Sequence, residues 1–309
     1  MPIDDEWAVE SGCAGCRRQQ SDLAGDQSLN RCSRCHCVSY CSKECQTAHW
    51  TTHKSNCKRP NYVIEAWVCK SQIVNSPVRR VLSCPATAPF EKLHHALQIA
   101  FSWANTHGWD FVVKDPDYDP GDGEAEFQRM MRKMYRMGFM ETGDSNDPRE
   151  YLLRIRAPED PMGQMLKVDL ALGHARREHP RTPEKTSTKI KLYEVFDKPE
   201  YRDCEWAYTY DFGDNWEHDI KLIDRTRPTS HFSCVGGEGT GIAEDAGGAR
   251  GWEELKEAYR ADNPTEEQKE KMHWYETHAS NANRDGLRGG RADRWSKAQV
   301  NRLLAEAGL

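Results

Sequence analysis

Eight of the twelve cysteines fall between residues 13 and 57, at positions 13, 16, 32, 35, 37, 41, 45 and 57. The other four are Cys69, Cys84, Cys204 and Cys234. The clustered ones read Cys13-x2-Cys16, Cys32-x2-Cys35, Cys41-x3-Cys45 and His53-x3-Cys57. Such pairs turn two side chains toward one ion, and eight nitrogen and sulfur donors make two tetrahedral zinc sites. Residues 13–58 hold too little apolar material for a core of their own, so metal is expected to fold them. Fully protein-ligated tetrads leave no position for water, which marks them as structural. The opening Met1-Pro-Ile-Asp-Asp-Glu6 is acidic and lacks an apolar run. No secretion signal is therefore expected, and the thiols should be reduced and metal-bound in cytosol or nucleus. His36, Cys37 and His49 fit no pair and are expected not to ligate.

Arg31-Cys-Ser-Arg-Cys35, Tyr40-Cys-Ser-Lys-Glu-Cys-Gln46 and Trp50-Thr-Thr-His-Lys-Ser-Asn-Cys57 together resemble the MYND zinc finger. The resemblance implies an interleaved cross-brace holding two structural Zn2+ ions. Cys13, Cys16, Cys41 and Cys45 would hold the first zinc. Cys32, Cys35, His53 and Cys57 would hold the second. It also implies a module that binds short peptides of partner proteins, proline-containing ones included. The gap after Cys16 is long for that family and should loop out. A RING cross-brace would carry Cys-x-His in mid-motif, which is missing here.

The texture changes beyond Pro60. Residues 62–68, 78–83, 109–113, 189–196, 205–212 and 216–223 alternate or cluster apolar residues as strands do. Gly213-Asp-Asn215 marks a hairpin. Residues 88–101, 127–137, 252–260, 265–277 and 296–307 read as helices, the first with Phe90, Leu93, Leu97, Ala100 and Phe101 on one face. The expected class is α+β: a small two-zinc finger followed by a mixed or antiparallel sheet with packed helices. The expected division is a flexible leader at 1–12, the finger at 13–58 and the α+β domain at 61–309. The middle of that domain, about 115–188, reads as enlarged and loop-rich, with exposed insertions at 141–150 and 174–188.

Three separated strings characterise this second part. They are Leu93-His-His-Ala-Leu-Gln-Ile-Ala-Phe-Ser-Trp103 with Asn105-Thr-His107, then Tyr208-Thr-Tyr-Asp-Phe-Gly-Asp-Asn-Trp-Glu-His218, then Cys234-Val-Gly-Gly-Glu238 with Glu244-Asp-Ala-Gly-Gly248. In this order they resemble the plasmid pRiA4b ORF-3-like family, which includes insertion-element passenger proteins. Gly241-Ile-Ala243 stands where that family often has Cys-Pro-Pro, so any role of a second thiol there is lost.

The chemistry of these strings allows two readings. His107, Asp214, His218, Glu244 and Asp245 could form a polar pocket, either a weak metal site or acid/base machinery. The plainer reading makes them fold signature: turn formers and a hydrogen-bonded core histidine. No nucleophile motif or phosphate loop stands out, so no convincing catalytic motif supports an enzyme. The chain carries 43 Lys+Arg against 49 Asp+Glu. An acidic balance disfavours binding driven by phosphate neutralisation. The basic run Arg284, Arg288, Arg291, Arg294 and Lys297 keeps a nucleic-acid-associated regulator as a further alternative. No charge-free stretch is long enough for a membrane span.

Overall fold

The computed structural model describes residues 12–25, 27–119, 121–123, 127, 131, 148–158 and 177–309. The expected leader up to residue 11 and nearly all of the helix expected at 127–137 lie outside them. The finger contains strands β1 (Asn30–Arg31) and β2 (Ser39–Tyr40), paired antiparallel, and helix α1 (Lys43–His53). Ser42 starts that helix: its Oγ accepts the Cys45 N–H at 3.3 Å, satisfying one of the unpaired first-turn donors.

The second part runs β3 (Asn61–Val68), β4 (Arg79–Cys84), α2 (Phe90–Phe101), β5 (Trp109–Lys114), β6 (Tyr151–Arg156) and β7 (Glu184–Thr186). Then follow α3 (Tyr193–Phe196), β8 (Trp206–Tyr210), β9 (Trp216–Thr226), β10 (Ser233–Glu238), α4 (Gly248–Arg260), α5 (Glu266–Thr277) and α6 (Lys297–Glu306). Among the described residues, eight strands form one sheet in the order β10-β4-β3-β9-β8-β5-β6-β7. Each neighbouring pair is antiparallel except β6 with β7.

The pleat sorts residues by face. Tyr62, Ile64, Ala66 and Val68 on β3 stand in register with Leu82 and Cys84 on β4 and with His218 and Ile220 on β9. Tyr208 and Tyr210 on β8 and Trp109, Phe111 and Val113 on β5 continue the same face. Against it lies α2, whose Phe90, Leu93, Leu97, Ala100 and Phe101 are fully buried. The opposite face carries ion pairs: Arg79 with Glu65 at 2.7 Å, and Arg154 with Asp110 at 2.7 Å. Asp110 is wholly buried and also accepts from Arg177, with Nε at 2.8 Å and Nη2 at 3.0 Å. These cations hold its carboxyl below the usual carboxylate range against the opposing effect of burial.

Two expectations change, and one strand is present that no expectation covered. Residues 189–196 alternate like a strand, yet Leu192 is helical and the segment ends in α3. Its backbone pairs with the chain entering α2: Leu192 N–H donates to Ala88 O at 2.9 Å and Phe90 N–H to Ile190 O at 3.1 Å. The place beside β6 belongs instead to β7, inside the expected exposed insertion at 174–188, where Thr182 and Ser187 are buried. The glycines of 233–238 conceal β10, which pairs with β4 across a bulge. There the guanidinium of Arg80 is the organiser. It donates to the carbonyls of Ala100, Glu238 and Gly239 and stacks on Trp295, so the backbone must come close. A Cβ on Gly239, already at φ +73°, would lie 2.2 Å from Pro77 O. Among the described residues no helix is long and apolar enough to cross a membrane.

Candidate metal centres

The cysteine pairs converge as two tetrads. The donor atoms of Cys13, Cys16, Cys41 and Cys45 lie within 4.8 Å of one another, and so do those of Cys32, Cys35, His53 and Cys57. Four ligands around one zinc, with bonds near 2.3 Å to sulfur, place sulfurs about 3.8 Å apart and a sulfur and a nitrogen slightly closer. The observed separations are 3.5 Å for Cys16–Cys41 and Cys41–Cys45, 3.7 Å for Cys32–Cys57, and 3.4 Å from Cys35 Sγ to His53 Nε2. The residues fit two zinc ions in a cross-brace.

The shells differ. All four donor residues of the second tetrad are buried, whereas Cys16 is exposed and Cys41 and Cys45 are half-buried. The ring of His53 is met edge-on by Trp50 and Tyr40 and stacks on His49. Cys37 stands outside both tetrads. Its thiol donates to the carbonyls of Cys35 and Lys58, while its backbone N–H donates to Cys35 Sγ at 3.4 Å. An N–H aimed at a ligand sulfur stabilises the thiolate form, a supporting role for the metal rather than a ligating one.

The polar residues of the second part divide among four environments. His218 is buried in the sheet core, and its Nδ1 donates to the carbonyls of Tyr208 at 3.1 Å and Trp216 at 2.9 Å. Burial pushes its pKa down to about 4, so the ring is neutral at physiological pH. Glu244 is also fully buried; its Oε1 accepts from Tyr210 Oη at 2.5 Å and the Ala104 N–H at 2.9 Å. Asp214 Oδ2 accepts the Gly247 N–H at 3.0 Å, at the start of α4. His107 and Asp245 do meet, with Nε2 and Oδ1 3.1 Å apart. The third member of their group is Asp211, whose Oδ1 lies 3.8 Å from His107 Nδ1. Spacing along an extended strand favours Asp214 over Asp211. The Asp211 backbone, however, sits at φ +56° and ties to Gly108 O, which places it beside His107. Its position in the Tyr210-to-Asp214 string was the available signal.

The basic run is largely engaged. Arg288 pairs with Glu276 at 2.6 Å and stacks on Tyr259, while Arg291 and Arg294 donate to backbone carbonyls.

Fold and site together define a closed two-zinc finger joined to an α+β sheet domain. The chain belongs to the plasmid pRiA4b ORF-3-like protein family, whose profile matches residues 71–285, and residues 13–57 match the MYND finger. A SET and MYND domain-containing protein of Dictyostelium discoideum is 46% identical over 55 residues, covering 17% of this chain and 10% of that protein. The histone-lysine N-methyltransferase SMYD3 of Homo sapiens is 44% identical over 48 residues, covering 15% and 11%. This chain thus spans about a tenth of the length of either finger-bearing relative. The uncharacterized protein y4hQ of Sinorhizobium fredii is 27% identical over 210 residues, covering 64% of this chain and 72% of that protein. A solved protein of unknown function from Methanosarcina mazei Go1 aligns at 20% identity with TM-score 0.48, over 78% of this chain and 96% of that one.

Proposed function

We propose that this protein is a zinc-dependent adaptor. Its finger binds short peptides of partner proteins, proline-containing ones included, and its α+β domain presents that finger. The observation that carries this reading is the saturation of both tetrads: seven thiols and one imidazole fill eight positions, leaving a scaffold with no open coordination site. A finger shared with relatives whose remaining parts differ is a transferable module, and transferable closed fingers work through their surfaces.

A cleft of about 460 Å3 between finger and sheet domain supports the same reading. Arg31 and His36 line one side, and Phe196, Trp206 and Leu222 the other. An aromatic wall of that kind suits the flat, preformed ring of proline, which is held at little entropic cost. The requirement for reduced thiols favours cytosol or nucleus.

The test is an affinity capture with the full chain against its Cys41→Ala/Cys45→Ala variant, followed by anisotropy titration of the captured partner's peptides. Peptide binding that needs the intact finger supports the adaptor. Identical partners and affinities for both chains would remove the finger from the function.

A further inference from the structure

We propose that His107, Asp211 and Asp245 form a third metal site, reached from solvent on its Asp245 side and suited to a divalent first-row transition ion of the Mn2+ type. The three residues come from separate segments: the turn after α2, the end of β8 and the loop before α4. Each belongs to a different one of the three strings that mark this domain. Their donor atoms lie within 4.8 Å of one another.

The orientation of the donors is the telling point. An imidazole flanked by two carboxylates ordinarily donates a hydrogen bond to one of them. Here His107 Nε2 is shielded from solvent and has no hydrogen-bond partner, although Asp245 Oδ1 is only 3.1 Å away. On the other side of the ring, Nδ1 lies 3.8 Å from Asp211 Oδ1. An imidazole binds an ion through one ring nitrogen; with Nε2 as that donor, its 3.1 Å to Asp245 Oδ1 matches adjacent ligands bound at about 2.1 Å, which lie about 3 Å apart, and Asp211 completes the set.

The surroundings hold each donor in place. Asp245 Oδ2 accepts from Ser280 Oγ at 3.2 Å, leaving Oδ1 toward His107. Asp211 Oδ1 accepts the Gly213 N–H at 2.8 Å. Both aspartates sit in the left-handed region, Asp211 at φ +56° and Asp245 at φ +60°. Asp214 acts as a positioning residue: its bond to the Gly247 N–H fastens the loop carrying Asp245 to the hairpin carrying Asp211. The Tyr210 ring meets the imidazole edge-on at 5.8 Å and restricts its tilt.

The donor set selects the ion. Two carboxylates and one imidazole are too few and too nitrogenous for Ca2+, which takes six to eight oxygens, and too hard for Cu(I). Three protein donors leave further positions for water, unlike the closed tetrads of the finger.

The test uses the full chain preloaded with two equivalents of zinc and titrated with Mn2+, following the free ion by its electron paramagnetic resonance signal. The expected result is one saturable Mn2+ per chain, displaced by a further equivalent of zinc. Asp245→Asn, at a half-exposed position, and His107→Gln should each weaken binding roughly tenfold or more while the finger keeps two zincs. Absence of saturable binding below millimolar Mn2+, or unchanged isotherms in both variants, would overturn the site.

Discussion

Cys45 and His53 stand eight residues apart on α1 and belong to different ligand tetrads. At about 1.5 Å per residue, the helix holds the two centres roughly 12 Å apart along its axis. It is therefore the spacer of the cross-brace, and its integrity matters to both ions. Thr47→Pro lies between the two ligands and should cost about 3 kcal/mol of helix stability. The expected outcome is loss of both zincs, read by elemental analysis of the dialysed chain. Retention of two zincs would show that the helix is not the spacer.

The unequal shells predict unequal release. A chromogenic chelator should draw zinc in two phases, the faster one from the tetrad containing exposed Cys16. Cys16→Ser should remove or accelerate only that phase. Cys37→Ala should leave two zincs bound, since its thiol meets carbonyl oxygens and not a tetrad. Loss of a whole zinc from the Cys37 variant would place that residue among the ligands.

Asp110 neutralises two guanidiniums from a fully buried position. Asp110→Asn leaves Arg154 and Arg177 without that compensating charge, and breaking a buried pair costs about 3–5 kcal/mol. Denaturant unfolding of the sheet domain should show a loss of that size. A loss under about 1 kcal/mol would contradict the assignment.

His94 and His218 impose a pH dependence on the same domain. His94 stacks on Trp109 at 3.8 Å, donates from Nε2 to Asn105 Oδ1 and accepts at Nδ1 from Tyr208 Oη. Burial pushes His94 down to about 3 and His218 down to about 4, against about 6.5 in an unfolded chain. The unfolded state therefore takes up protons first as pH falls. The contribution is intact above about pH 6.5 and erodes by up to about 1.4 kcal/mol per pH unit for each ring, until the folded-state values are reached. Unfolding followed by Trp fluorescence should give a falling midpoint from pH 7 to pH 5, with a slope shallower by about one proton in His218→Gln. A flat profile would contradict the buried neutral rings.

Much of this was readable from residues alone, and the exceptions have physical causes. The finger was legible because metal ligation fixes spacing in the sequence itself. The hairpin at Gly213-Asp-Asn215 and the amphipathic α2 were legible because their periodicities are local. Strand β10 was not, since Gly236 and Gly237 erase the side-chain pattern and pairing depends on Arg80, more than 150 residues away. Residues 189–196 misled because Leu192 and Val195 are buried as one face of a short turn, which over so few residues resembles alternation. Strand spacing points to Asp214 and not to Asp211, because an extended-strand rule does not hold at a left-handed residue.

Seven sulfurs and one nitrogen are placed to hold the finger's two zinc ions. X-ray absorption at the zinc edge, on the full chain carrying two equivalents of zinc, measures that donor set. The predicted spectrum averages, per zinc, between three and four sulfurs near 2.3 Å with a half-share of nitrogen near 2.0 Å, and no oxygen shell. Oxygen in the first shell, or two or fewer sulfurs per zinc, would contradict the closed cross-brace.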